Sequence, residues 1–257
     1  MMNMVRLGMT AAFVAAAALG ATAEAVTLDI PLNDTNAKDN FLYKNGPTTN
    51  FGGSGIFYYD ERAATLEAAR PIIGFDLPVL PVGAVIVSAE LQLKVQQYTF
   101  IDVNNANATV PHSFSVHQML LPWDENTSNW NTTDGATPWN TAGLGAGTDY
   151  NAAAEDSVVI SSANVGQYVS WDITSLVNDW YGAVSQNYGL HISGPAGNPL
   201  IISSEGDTTD GVFRAYNTEY ADDGFRPHLV INYVPEPASA ALLFSGGLFG
   251  VLGRRKK

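Results

Sequence analysis

Cysteine is absent from the 257 residues, which excludes disulfides, thiolate nucleophiles and cysteine-ligated metals. Basic side chains are scarce, 12 Lys and Arg against 25 Asp and Glu. With Arg6, the four bases at 254–257, Glu24 and Glu236 set aside, the stretch 26–233 keeps 7 bases and 23 acids, a net charge of −16. Such a surface repels nucleic acid and anionic lipid, disfavours polyanionic glycans and favours solubility and divalent cations. No apolar run reaches the roughly 20 residues of a stable membrane span. Catalytic signatures are missing too. His112, His117, His191 and His228 form no H-E-x-x-H pattern, and there is no G-x-S-x-G elbow, P-loop or G-x-G-x-x-G turn. Asp124-Glu125 offers at most one member of a glycosidase carboxyl pair, which needs two groups about 5–9 Å apart.

What is present begins at the two ends. Arg6 precedes an apolar stretch from Met9 to Leu19, followed by Ala21, Ala23 and Ala25. Charged start, short apolar middle and small-residue exit make 1–25 a secretory signal peptide, with cleavage after Ala23 or Ala25. At the other end, Val234-Pro235-Glu236-Pro237 leads into the 16-residue run Ala238–Gly253 and then Arg254-Arg255-Lys256-Lys257. The prolines end any regular element before the run. As a helix the run is about 24 Å long against a hydrocarbon core of about 30 Å, so it reads as a transient anchor. The basic tail holds its far end in the cytoplasm.

The segment 234–257 resembles the PEP-CTERM sorting signal. That resemblance implies recognition by an exosortase through Pro235, Glu236, Pro237 and the basic tail headed by Arg254 and Arg255. It also implies a cut near the motif and a secreted or cell-surface product.

Between the ends, the period is two. Val85, Val87, Ala89, Leu91, Leu93 and Val95 share one face, and Ile86, Ser88, Glu90, Gln92 and Lys94 the other, so a strand with one buried face is expected. Shorter strands are expected at 26–30, 56–59, 71–75, 113–119, 156–160, 167–171, 189–193, 200–203 and 228–233. In 56–59, Phe57 and Tyr59 share a face opposite Tyr58. Gly, Pro, Asn and Asp separate these segments. Asp172 as N-cap, Ile173, Leu176, Val177 and Trp180 at helical spacing, and Gly182 as terminator predict one short helix. The stretch 131–155 carries no periodicity and reads as a long loop. The expected fold is all-β: a single jelly-roll-like antiparallel β-sandwich over 26–233 with one short helix, flanked by the two apolar targeting segments.

Six motifs occur in order: Asn50-Phe51-Gly52; Arg70 to Leu77 with Leu80-Pro81 and Gly83-Ala84; Ala89 to Leu93; Trp123 to Asn131; Asp172 to Trp180 with Asn187-Tyr188-Gly189-Leu190; and Arg226-Pro227 before Tyr233. Together they resemble the DNRLRE domain over about 34–233. Gly74 stands where that family often has a larger residue, and Asn40-Phe41-Leu42 matches its opening motif only in part. The resemblance implies an exported jelly-roll module of the kind found beside polysaccharide lyases and in cell-wall proteins, some of which bind carbohydrate.

Sugar recognition uses aromatic faces, so the candidate ligand contacts are the loop rings Trp139 and Tyr150 and, past the long strand, Tyr98 beside Phe100. Trp123, Trp130 and Trp180 read as framework. Calcium, which takes six to eight oxygens, has a candidate site at Glu205, Asp207 and Asp210 and another at Asp34, Asn36 and Asp39. The function expected is a non-catalytic carbohydrate-binding surface or matrix protein associated with exopolysaccharide. Its partners are an exosortase, a polysaccharide and, transiently, the membrane. The alternatives are a self-associating structural matrix protein and a polysaccharide-cleaving enzyme.

Overall fold

The computed structural model describes residues 24–61, 67–102, 105–195 and 212–236. Its longest element is β5 (Val85–Tyr98), 14 residues and so roughly 46 Å long. The other elements are β1 (Val26–Pro31), β2 (Ala37–Tyr43), β3 (Ile56–Glu61), β4 (Ala68–Phe75), β6 (Ile101–Asp102), β7 (Asn105–Thr109), β8 (His112–Gln118), β9 (Asp156–Ile160), β10 (Tyr168–Asp172), the helix α1 (Thr174–Tyr181), β11 (Leu190–Ser193), β12 (Phe213–Tyr216) and β13 (His228–Val234).

Gln92 of β5 pairs with His228 on one side and Ser170 on the other, so β13 and β10 flank β5, and β1 adds outside β13. A second group runs β2-β4-β11-β8-β9. The ladder β12-β3 connects the two, since β12 pairs with the far end of β5 and β3 pairs with β4. Every pairing is antiparallel. The result is a curled, sandwich-like sheet whose two halves enclose one core, with β6-β7 as a separate small ladder.

Alternation decides what enters that core. Ala89, Leu91, Leu93 and Val95 of β5 are fully buried with Ile73, Phe114, Leu190, Ile192, Phe213 and Ile231. Trp171 of β10 is wholly enclosed, and its indole N–H donates 2.9 Å to the Phe114 carbonyl of β8, tying one half to the other. The helix buries Leu176, Val177 and Trp180, as its spacing predicts, and ends at Gly182. It starts one residue later than expected. Ile173 takes the cap position, and Asp172, just before it, accepts the Thr174 N–H at 2.8 Å. In β3, Phe57 and Tyr59 are the core pair, and Tyr58 faces away.

A second cluster lies on the opposite face of the β2-β4 ladder, because Ile72 belongs to it while its neighbour Ile73 belongs to the main core. Leu42, Ile72, Met119, Trp123, Trp130, Trp139 and Leu144 form it. The connection 119–155 is therefore a lid with its own tryptophan core. Its backbone turns on Asp149, fully buried, whose carboxylate accepts from the N–H groups of Asn140, Thr141 and Gly145 at 2.7–3.0 Å. Gly143 has φ +74°, and a Cβ there would lie 2.2 Å from the Trp130 ring, so the turn admits only glycine.

Several strand expectations change. β2, β6, β7 and β12 were not expected. In β2 the four residues Asp39–Leu42 are all buried, because the lid covers the outer face and erases the alternation. β5 continues to Tyr98, and the first two residues of its core-side face protrude beyond the core: Val85 is 65 % and Val87 56 % exposed. The strand expected at 200–203 lies outside the described residues, as do the signal peptide through residue 23 and the apolar run 238–253. No helix among the described residues is long and apolar enough to cross a membrane.

Candidate functional site: a polar cleft and a histidine pocket

The turn after β1 and the end of β4 build the larger depression. Asn33 caps the turn, accepting from the Thr35 N–H at 2.9 Å, and the Asp76 N–H donates 2.8 Å to the Asn36 carbonyl. Between them opens a cleft of about 460 Å³ lined by Asp34, Asn36, Lys38, Asp76, Asn187 and Tyr188 among others. Three of these groups are held by the fold. The Asn36 amide donates to the Pro31 carbonyl at 3.1 Å, the Asn187 amide to the Phe75 carbonyl at 2.9 Å, and Lys38 Nζ to the Trp123 carbonyl at 2.6 Å. Lys38 also lies over the Trp123 ring at 4.3 Å. Burial holds its ammonium below the usual lysine range, against the opposing pull of Asp124, Glu125 and Asp76. Among the described residues, no donor reaches the carboxylates of Asp34 and Asp76. Two carboxylates are left facing solvent beside a tyrosine ring.

Next to Lys38 the chain turns inward. Asp39 is 1 % exposed and accepts from Asn217 Nδ2 at 2.7 Å, Thr218 N at 2.9 Å and Thr218 Oγ1 at 2.6 Å. Thr218 Oγ1 is also 2.8 Å from Glu219 Oε1. A hydroxyl has one hydrogen, so it donates to one carboxylate and accepts from the other only if that one is protonated. The environment agrees. Burial first, then the Glu219 charge, push Asp39 well up, with the Thr218 and Asn217 bonds opposing. Burial and the Glu125 charge push Glu219 up to about 7, with the Thr218 bond opposing. Glu125 in turn accepts the Asp39 N–H at 2.7 Å. This carboxyl group pins β2 to the lid and to the β12–β13 connection.

A smaller pocket of about 250 Å³ opens on the lid side, lined by Tyr59, Arg70, Leu144, Tyr150, His191, Ser193 and Gly194. His191 and His117 are cross-strand partners, and Tyr150 packs against both, 4.7 and 5.1 Å between ring centres. Enclosure, with smaller contributions from Arg70 and His117, pushes His191 down to about 3, so the ring is neutral. His117 Nδ1 faces the Asn151 carbonyl at 2.9 Å, which can only accept. Its Nε2 lies 2.9 Å from Ser193 Oγ, within hydrogen-bond reach.

The expected ring contacts divide accordingly. Tyr150 lines the smaller pocket. Trp139 and Tyr98 are corrected from exposed to buried, each 4 % exposed. Trp139 donates its indole N–H to the Asn129 carbonyl at 2.8 Å inside the lid core. The Tyr98 hydroxyl donates to the Val110 carbonyl at 2.6 Å, and burial raises its phenol. Phe100 is 2 % exposed beside it. The cation candidates Glu205, Asp207 and Asp210 lie outside the described residues. Asp34, Asn36 and Asp39 do not converge: two line the cleft while Asp39 turns into the protein. Among the described residues, no group of three or more His, Asp or Glu side chains is placed to hold a metal ion. The free carboxylates of Asp34 and Asp76 and the Ser193–His117 bond escaped sequence reasoning, since each joins residues dozens of positions apart.

The fold defines a mostly β, antiparallel, sandwich-like protein with polar surface depressions. Comparison with known families places its C-terminus: the PEP-CTERM protein-sorting motif matches residues 234–257. The motif marks the chain for export and exosortase processing, and so for the cell surface or the medium. Of the sorting residues, Pro235 and Glu236 are described, directly after β13; Pro237, Arg254 and Arg255 lie beyond. No curated protein matches the chain.

Proposed function

We propose that the exported body is a non-catalytic, carbohydrate-binding surface or matrix protein that holds a neutral polysaccharide in the Asp34–Tyr188 cleft. The observation that carries this is the pair of unengaged carboxylates, Asp34 and Asp76, beside Tyr188 in a cleft of about 460 Å³. Carboxylates without internal donors accept sugar hydroxyls, a ring offers its face to the C–H side of a pyranose, and the volume lies within the range of ligand pockets. The acidic surface favours a neutral glycan. The ordered resemblance of residues 34–233 to the DNRLRE domain, with its jelly-roll fold, supports the same reading.

The test is a glycan-array screen followed by calorimetric titration, with and without calcium. Asp34→Asn with Asp76→Asn and, separately, Tyr188→Ala are expected to weaken binding by tenfold or more, about 1.4 kcal/mol. Unchanged affinity in both variants, or no glycan bound in either condition, would remove the proposal.

A further inference from the structure

The connection from β4 to β5 reads Leu77-Pro-Val-Leu-Pro-Val-Gly-Ala-Val-Ile-Val87, eleven residues without a charge in a body of net charge −16. Leu77 and Ile86 pack partly against the core, and the valines between and beside them do not. Val79 is 98 %, Val82 94 %, Val85 65 % and Val87 56 % exposed. A contiguous exposed apolar surface marks an interaction site, and its position identifies the occupant. Val85 pairs with Val234, the last residue of β13, and a Cβ at Gly83 would lie 2.7 Å from the Glu236 carboxylate. The apolar run starts at Ala238, two residues and at most about 7 Å further on. The other end of the chain leaves from the same place, because Val26 pairs with Tyr233. Both targeting segments therefore join the body at the pole that carries the valines. The headgroup layer beyond the hydrocarbon is itself about 5–8 Å deep. While residues 238–253 are inserted, Gly83 and its neighbour Val82, beside Glu236, lie within reach of it.

We infer that the Leu77–Val87 stripe is a lipid-facing pole, seated in the headgroup layer of the bilayer until the chain is cut near Pro235-Glu236-Pro237. The partner is the membrane surface itself. The stripe itself adds no charge to this acidic body, although the Glu236 carboxylate lies against Gly83, and its contact orients the Pro-Glu-Pro segment at the membrane plane. The inference rests on reading 238–253 as a transient anchor.

The absence of cysteine makes the test direct. Val82→Cys and Val79→Cys, both at exposed positions, take an environment-sensitive fluorophore in the full chain reconstituted into phosphatidylcholine vesicles that carry a headgroup-region doxyl quencher. Val165→Cys is the distal control. It is 43 % exposed and next to Gly166, whose N–H donates 2.8 Å to the carbonyl of Val95, ten residues up β5 from Val85. Ser245→Cys reports insertion of the run. The expected result is loss of emission at 79, 82 and 245 and none at 165. Quenching at 245 without quenching at 79 and 82 overturns the inference and leaves the anchor standing; no quenching at 245 overturns both. A change at 82 that grows with protein concentration in the absence of lipid assigns the stripe to a second copy and also overturns it.

Discussion

Replacing Glu219 by Gln should make the protein relatively more stable as pH rises, the reverse of what loss of an ordinary carboxylate does. In the folded state the Glu219 carboxyl holds its proton up to about 7, against an ordinary value of 4.5. Between those values the folded chain binds more protons than the unfolded chain, so wild-type stability falls as pH rises through the window. At about 1.4 kcal/mol per tenfold the full displacement corresponds to at most about 3.4 kcal/mol. The side chain is partly open to solvent, and screening reduces this to about 1–2 kcal/mol. Glutamine is neutral throughout and imitates the protonated acid toward Thr218. The variant is thus expected to match wild type near pH 4 and to exceed it by about 1–2 kcal/mol above pH 7. Urea unfolding followed by tryptophan fluorescence at a series of pH values reads this difference, and comparison within each pH cancels the titrating groups that do not interact with Glu219. A difference that is constant with pH, or that turns against the variant at high pH, would show that Glu219 is a stabilising ionised carboxylate and that the proton-sharing argument at Thr218 fails.

His191 should act in the opposite sense. Its ring stays neutral down to about 3, whereas the unfolded chain protonates near 6.5, so wild-type stability falls as pH drops below 6.5. His191→Asn keeps a donor for the Pro71 carbonyl, 3.0 Å away in wild type, and should gain on wild type as pH falls from 6.5 toward 3 in the same unfolding assay. Trp171→Ala should cost about 3–5 kcal/mol, because an enclosed indole leaves a cavity at the seam of the two halves. Trp171→Phe should cost less but leave the Phe114 carbonyl unpaired, about 1–3 kcal/mol; equal, small losses for both would refute the seam. Ser193 Oγ stands 2.9 Å from His117 Nε2, the spacing of a nucleophile and its base, so a non-catalytic body predicts that a fluorophosphonate labels Ser193 no faster than the exposed serines. Rapid labelling that His117→Gln abolishes would count against that reading.

Much of the sandwich was legible because half-buried strands announce themselves by alternation. Leu91, Leu93 and Val95 on one face and Gln92 and Lys94 on the other leave little choice of state. β2 stayed hidden for a related reason. With the lid over its outer face, Asp39, Asn40, Phe41 and Leu42 are all buried, and a strand containing Asp-Asn reads as a turn. Trp139 was expected to be exposed and is buried, because burial of an aromatic in an aperiodic segment depends on what folds over it. Trp139 and Trp130 lie in a lid whose core is closed by Ile72 and Leu42, some 60 to 100 positions earlier in the chain.

The amino-acid order alone determined the address of this protein. The PEP-CTERM motif at 234–257 is read by machinery that meets a linear chain, so its information needs no fold. It also determined the acidity, the absence of thiol chemistry and the β period. Only the tertiary structure decided which carboxylates face solvent and which share a proton, because Asp34 and Asp76 meet across a turn and a strand end, and Asp39 meets Glu219 across nearly the whole chain. Only the fold, too, brought Val26 and Val234 to the same end as the exposed Val85, since antiparallel pairing of the first and last strands returns their outer ends to one pole.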